Sequence, residues 1–281
     1  MRIGVIVLHY RHKNQTVACI KSIQKSDFKD YHIILVDNAS GDSFEDDLID
    51  WKDVSFIKSD KNTGYSGGNN LGIKKALSEK DDYIFVLNPD TTIEKDTMGN
   101  LLKGMEKENA DLASPKIYFA DTKKIWYAGS NFDFANVLGS HRGVNEEDRG
   151  QYDEAIPTDG VTGGAFMAKR EVFATVGLFD DRYFLYYEDA DLSFRTIKAG
   201  FKIMYIPSSV VYHKNAQSTG LGSPLQDYFI TRNRMLFASK FLSLRTRFAL
   251  FREALKNLNK PMRRLALFDY LTNNFGKGSY R

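Results

Sequence analysis

The segment "YFLYYEDADLSF", residues 183–194, sets Glu188, Asp189 and Asp191 directly behind Tyr183, Phe184, Tyr186 and Tyr187. Carboxylates placed in this way can take a proton from a reacting hydroxyl. They also suit the first turn of a helix, where the dipole favours negative charge, and the residues alone leave both readings open. A second group of chemistry-bearing residues ends short apolar runs. In "LNPD" the rigid ring of Pro89 fixes the backbone ahead of Asp90, so a carboxylate is held in one pose, as a hard cation ligand requires. Mg²⁺ and Mn²⁺ bind through a few carboxylates plus substrate phosphates, and His213 at the end of "VVYH" supplies a second ligand type. A histidine at a strand end is also commonly structural, and Asp37 in "LVDNAS" equally suits a turn cap.

The Gly-rich stretch "NTGYSGGNNLG", residues 62–72, follows one apolar run and opens a helical pattern, a context that suits a phosphate or nucleotide contact. Its glycines, at 64, 67, 68 and 72, fit neither the dinucleotide fingerprint nor the P-loop. Dehydrogenase and P-loop chemistry are thereby disfavoured, and a tight turn with an Asn-rich cap is the simpler alternative.

These residues need a frame. Ile3 to Leu8, "HIILVD" and "YIFVLNPD" are unbroken apolar runs that end in polar residues, the pattern of strands buried on both faces. Helical periodicity over Asn14 to Gln24, Phe44 to Trp51 and Gly67 to Ser78 alternates with them, which predicts a parallel, doubly wound α/β sheet over the first ~110 residues. Ligands of such sheets bind beyond the carboxyl ends of the strands, where the polar residues stand. After Pro115 aromatic strands are expected, then a mobile loop from Gly139 to Pro157, a strand pair in "FKIMYIPSSVVYH", and helix from Ser223 onward.

The 281 residues, 42% hydrophobic and 27% charged, are enough for one large domain with a sizeable core. The single cysteine, Cys19, lies in an apolar helical pattern with no partner, so a core role in a reducing, cytoplasmic setting is expected. Neither a signal peptide nor an apolar stretch of membrane-spanning length stands out. The net charge of +3 is unevenly spread: from Arg232 onward twelve Lys and Arg stand against two acids, so that segment carries +10 and the remainder −7.

In family order over residues 2 to 240, the motifs "VDNASGD", "NTGYSGGNNLGI", "LNPDT", "TGGAFMAKREVFATVGLFDDRYFLYYEDADLSFR", "VVYHKNAQST" and "YFITRNR" resemble those of family 2 glycosyltransferases. The similarity is to the bacterial rhamnosyltransferase-like branch, which builds cell-surface polysaccharides. It implies a GT-A fold in residues 1–240: an α/β, mainly parallel sheet with a Rossmann-like nucleotide-binding half and an acceptor-side half, followed by a helical tail, 241–281. His9, Tyr10 and Asp37 would then hold the nucleoside, with Asn62, Gly64 and Asn69 packing on base and ribose. Asn88 stands at the first acid of the family's D-x-D, Asp90 becomes the main carboxylate ligand of Mn²⁺ or Mg²⁺, and His213 assists. Asp189 is implied as the base and Glu188 as its support, with Asp191 starting a helix. Thr162, Gly163 and Gly164 would let the backbone approach the donor closely. Arg232 and Arg234, in "TRNR", would add positive charge near the diphosphate, or else form a basic helix face.

The implied reaction is a single inverting displacement, most naturally of L-rhamnose from dTDP-rhamnose onto a lipid-linked saccharide. A UDP-hexose or UDP-galactofuranose donor is the near alternative. A nucleotidyltransferase would need a basic triphosphate loop that "NTGYSGGNN" lacks. From Phe241, Leu, Phe and Ala recur at helical spacing with Arg and Lys between them, and Pro261 starts a second helix. Such a basic amphipathic tail suits the anionic inner face of a membrane; packing on the catalytic domain or a second subunit is the alternative. Nucleic acid is not an expected partner, because the rest of the chain is acidic.

Overall fold

The computed structural model describes residues 1–214 and 222–280. Residues 215–219 of the "VVYHKNAQST" motif therefore lie outside the described residues. The chain opens with β1 (Ile3–His9), α1 (Lys13–Gln24), β2 (Tyr31–Asp37), α2 (Glu45–Asp50), β3 (Val54–Lys58), α3 (Gly64–Ser78) and β4 (Tyr83–Leu87). It continues through β5 (Thr91–Ile93), α4 (Thr97–Glu108), β6 (Leu112–Phe119), β7 (Ile125–Tyr127), β8 (Ser130–Asp133), β9 (Leu138–His141), β10 (Ile156–Pro157) and β11 (Ala165–Lys169). After α5 (Arg170–Val176), α6 (Glu188–Lys198) and β12 (Ile203–His213) come α7 (Pro224–Phe241), α8 (Leu244–Lys256) and α9 (Pro261–Leu271).

Among the described residues one sheet runs in the order β10-β12-β6-β11-β4-β1-β2-β3. The pairs β1–β2, β1–β4, β2–β3 and β6–β12 are parallel, while β11 runs antiparallel between β4 and β6. Alternate residues of each strand enter two different cores. Val5, Val7, Ile33, Leu35 and Phe85 pack with α1 and α4, whereas Ile6, Leu8, Ile34, Val36 and Val86 pack with α3 and α5. Burial on both faces is why these strands read as unbroken apolar runs. Cys19 is buried in the first core, as expected, and burial pushes its thiol up to about 12.

Three expectations about local structure change. "FKIMYIPSSVVYH" forms one strand, β12, whose register slips between Ile206 and Val210, so Pro207 sits at an irregularity rather than at a turn between two strands. Residues 139–157 are not a loose loop: Lys116, almost fully buried in β6, reaches Asp148 at 2.7 Å and Asp153 at 2.5 Å, and the Tyr118 hydroxyl also donates to Asp148. The boundary expected at residue 240 cuts through a packed unit. Met235, Leu236 and Phe237 of α7 share a core with Leu250 and Ala254 of α8 and Leu267 of α9.

Helix α3 lies unusually close to β1. A Cβ at Gly68 would meet Leu8 Cδ1 at 2.4 Å, and one at Gly72 would meet Ile6 Cγ2 at 2.5 Å. Gly72→Ala is therefore expected to cost about 1–3 kcal/mol by overpacking. Gly99→Ala in α4, where nothing lies within 4 Å of the new methyl, should instead stabilise by about 0.5–1 kcal/mol. Thermal unfolding of the two variants against the parent checks the contrast.

Candidate active site

Because β1, β2, β4, β6 and β12 run in one direction and β11 in the other, one edge of the sheet collects His9, Asp37, Asn88, Asp90 and His213 together with the N-terminal approach to β11. At that edge His213 Nε2 lies 3.0 Å from Asp90 Oδ1, and the pair is largely buried. Antiparallel pairing of β5 with β12 sets His213 opposite Thr91, one residue beyond Asp90. The other ring nitrogen of His213 is buried without a hydrogen-bond partner. Trp126 packs edge-on against both His213 and His141, with ring centroids 4.6 Å apart in each case. A separation of 3.0 Å is what adjacent ligands on an octahedral ion at about 2.1 Å would show, so the two side chains fit a hard divalent cation.

Gly163 and Gly164 join this pair to the acids. The Gly163 N–H donates to Asp189 Oδ2 at 3.1 Å, and its carbonyl accepts from the Tyr65 hydroxyl at 2.6 Å. The Gly164 carbonyl accepts the Asn88 N–H at 3.0 Å. A Cβ at Gly163 would stand 3.0 Å from the Tyr65 hydroxyl, and one at Gly164 would stand 2.9 Å from the Trp126 ring. Thr162 is buried and bridges to Ala165, and its hydroxyl accepts from the Gly164 N–H. Residues 162–164 thus sit between Asn88 on one side and Asp189 on the other.

Asp189 keeps a partly exposed edge, while Glu188 beside it is buried. Burial raises the pKa of both carboxyls: that of Glu188 stands well above the ordinary range, helped by the neighbouring charge of Asp189. Hydrogen bonds from Gly163 and Ala190 oppose the rise at Asp189, whereas Glu188 Oε2 has no hydrogen-bond partner. Asp191 is in the first turn of α6, as expected, but it is also fully buried. It accepts from the Tyr183 hydroxyl at 3.0 Å, pairs with Arg195 at 2.6 Å and with Lys240, and so ties α6 to α7.

The aromatic segment ahead of the acids is strained. Phe184, Tyr186 and Tyr187 all have positive φ, between 65° and 74°, a conformation that costs non-glycine residues about 1–3 kcal/mol each. Helix α7 holds them there: Asn233 Nδ2 donates to the carbonyls of Tyr183, Leu185 and Tyr186 at 2.8–2.9 Å. Arg232 donates to the carbonyls of Arg182 and Tyr183. Its guanidinium is fully buried, so it neither faces a diphosphate nor forms a basic surface, and both expectations for Arg232 are corrected. Arg234 is likewise spent on Glu253 at 3.0 Å and on the carbonyl of Asn136.

At the carboxyl end of β2, Asp37 is fully buried; one oxygen accepts the Ser40 N–H at 2.9 Å and the other has no partner. Such an orphaned carboxylate oxygen is suited to a base N–H. His9 is fully buried between Thr16 at 2.7 Å and Asp42 at 2.9 Å, and burial lowers its pKa; Tyr10 is exposed. Asn62 Oδ1 is consumed by Gly64 N–H and Asn38, and a Cβ at Gly64 would strike Phe184 O at 2.3 Å. Both positions therefore brace the aromatic segment and the start of α3. Asn69 keeps its Oδ1 unpartnered. The sequence reading passed over Asn38, which pins residues 62–64, and Tyr65 and Trp126, whose roles depend on contacts distant in the chain.

A second cluster, His32, Glu79 and Asp81, lies at the opposite edge of the strands. Arg2 on Asp81 at 2.6 Å and Lys75 on Glu79 at 2.6 Å already neutralise its carboxylates. It is an ion-pair network remote from the site.

Residues 4–177 match the sequence profile of glycosyl transferase family 2, well over half of the chain. The chain belongs to that family. It is 27% identical over 218 residues to the dTDP-rhamnosyl transferase RfbF of Shigella flexneri, covering 74% of this chain and 71% of the relative. It is 29% identical over 216 residues to the N-acetylglucosaminyl-diphospho-decaprenol L-rhamnosyltransferase of Mycobacterium tuberculosis, covering 67% and 68%. Its place is in the rhamnosyltransferase-like branch. The fold is GT-A-like: GalNAc-T7, solved with UDP, GalNAc and Mn²⁺, superposes with a TM-score of 0.64 at 17% identity over 84% of this chain and 51% of that longer one. This family 2 chain is therefore a glycosyltransferase whose acids at 188 and 189 fall beyond the matched profile.

If α7 fixes the strained segment, Asn233→Ala should remove the Nδ2 hydrogen bonds to the carbonyls of Leu185 and Tyr186, leave Tyr183 held by Arg232 alone on α7, and let residues 183–187 relax. The expected result is a fall in kcat of ten-fold or more with donor KM little changed, measured by steady-state kinetics.

Proposed function

We propose that this glycosyltransferase moves L-rhamnose from dTDP-rhamnose to a lipid-linked saccharide at the inner face of the cell membrane, with inversion and with the aid of Mn²⁺ or Mg²⁺. The observation that carries the mechanism is the Gly163–Gly164 bridge, which joins the carboxylate of Asp189 to the end of β4 and the Asp90–His213 pair. Two relatives whose names specify rhamnosyl transfer support the donor, and the decaprenol-linked substrate in one of those names supports the acceptor.

Asp90 and His213 would hold the ion, which when bound neutralises charge on the departing diphosphate. The chain's own residues do the rest. Asp37 accepts a base N–H through its free oxygen, and the unpartnered Oδ1 of Asn69 is available to the donor. Tyr186 and Tyr187 offer aromatic faces to the sugars, and Thr162 to Gly164 leave room for the donor. Asp189 takes the proton of the acceptor hydroxyl as its oxygen bonds to the anomeric carbon; the bond from that carbon to the diphosphate breaks on the far side, and the nucleoside diphosphate leaves with the electron pair. A single such displacement turns an α-linked donor into a β-linked product and the reverse. Glu188, whose pKa burial raises well above the ordinary range, supports Asp189.

A panel of dTDP-rhamnose, UDP-hexoses and UDP-galactofuranose, read by nucleotide release, tests the donor. Release from dTDP-rhamnose alone is expected, and preference for a UDP-sugar would replace it. Asp189→Asn should lower kcat by at least about 10³-fold with donor binding retained. Asp90→Ala should abolish turnover, and full activity in EDTA would refute the metal.

The pKa of Asp189 adds a pH signature. Only the ionised carboxylate can accept a proton, and burial raises its pKa, so kcat/KM should climb with pH at values above the ordinary aspartate range. A pH profile whose acid limb sits at or below that range would mean that another group is the base.

A further inference from the structure

Several tail cations are engaged within the fold. Arg234 pairs with Glu253, Arg263 with Asp227, and Lys240 with Asp180 and Asp191, while Arg247 donates to the carbonyls of Ala238 and Leu242. Arg245, Arg252 and Lys256 of α8 are exposed, and among the described residues none of them is in an ion pair. At about 100° per residue these three fall within about 40° of one another on the helix. Leu244, Phe248 and Leu255 form the adjacent stripe of α8, and they are 78%, 62% and 44% exposed. Leu250 and Ala254, on the other side of the helix, are the residues that bury it. A groove of about 410 Å³ opens beside Leu244 and Phe248, lined also by Met235, Phe251 and Tyr270.

We infer that this face of α8 docks on an anionic lipid bilayer, the apolar stripe entering the headgroup boundary and Arg245, Arg252 and Lys256 meeting lipid phosphates. Three observations favour a bilayer over other partners. Arg234, Lys240 and Arg263 are paired with acids of the fold, whereas Arg245, Arg252 and Lys256, which have no ion pair among the described residues, stand beside the exposed apolar stripe. Outside the segment from Arg232 onward the chain carries −7, so a polyanion as large as a nucleic acid would be repelled by most of the molecule. A second copy of the chain meeting this face about a two-fold axis would bring two unneutralised basic patches into one interface. No helix among the described residues is long and apolar enough to span a bilayer, so the contact is a peripheral one. The same α7–α8–α9 unit holds residues 183–187 through Arg232 and Asn233, which sets the docking face and the acids on one rigid support.

Vesicle co-sedimentation of the full chain, without donor or acceptor, tests this apart from any choice of sugar. Strong binding to equimolar phosphatidylcholine and phosphatidylglycerol is expected, with little to phosphatidylcholine alone. Replacing Arg245, Arg252 and Lys256 together by Ser should weaken it about hundred-fold. Phe248→Ser combined with Leu255→Ser should weaken it about ten-fold or more. All five side chains are exposed, so Tm should not change. Equal binding of both vesicle types, or unchanged binding by either variant, overturns the inference. So does light scattering that shows a parent dimer converted to monomer by Phe248→Ser, because a second copy would then cover the face.

Discussion

The site depends on a backbone crossing that only glycine allows. Gly163 and Gly164 lie where the start of β11 passes between Tyr65 and Trp126, at separations that a Cβ would close to 3.0 Å or less. With no side chains in the way, two carbonyls and one N–H are free to join three elements: Asn88 after β4, Tyr65 on α3 and Asp189 on α6. Trp126 continues the chain of contacts to His213, and His213 to Asp90. A side chain at Gly163 would press on Tyr65 and one at Gly164 on Trp126, disturbing the contacts that link the acid of α6 to the end of β4.

The acids depend in turn on a part of the molecule far along the chain. The three left-handed residues at 184, 186 and 187 aim the start of α6, and their strain persists only because α7 satisfies the carbonyls they turn inward. Helix α7 is itself held by α8 and α9 through the shared core of Leu236, Leu250 and Leu267. Phe184 closes the loop by accepting from the Tyr65 N–H at its carbonyl and filling the space at Gly64. The helical tail is thus a structural condition for the acid site as well as a surface of its own.

How much of this was legible in the residues follows from how local each cause is. Strands buried on both faces, polar residues at their carboxyl ends, and Pro261 as a helix start all act within a few residues, and the structure has each of them. The pairing of Asp90 with His213 also followed, because both stand at strand ends and parallel strands bring those ends to one edge. Arg232 shows where the reading stopped. A basic residue in a helix is normally solvated, and nothing in "TRNR" reveals that the carbonyls of Arg182 and Tyr183, some fifty positions away, turn toward it. Lys116 is the same case: the acids that fix residues 139–157 are 32 and 37 positions distant. Long-range hydrogen-bond satisfaction leaves no periodicity for a sequence to display.

The two neighbouring acids show how burial can assign roles without changing residue type. Two carboxylates side by side in a desolvated site do not both ionise freely, since each raises the cost of charge on the other. What separates them is the supply of donors. Asp189 receives the N–H groups of Gly163 and Ala190, which stabilise its charged form, and it stays partly exposed. Glu188 is buried, with Oε2 lacking any partner, so its pKa is raised well above the ordinary range. Burial disfavours charge on both acids, and the donors oppose that rise at Asp189. It follows that the Gly163 N–H does more than fix geometry: its bond to Oδ2 favours the charged form of Asp189 against the burial that disfavours it.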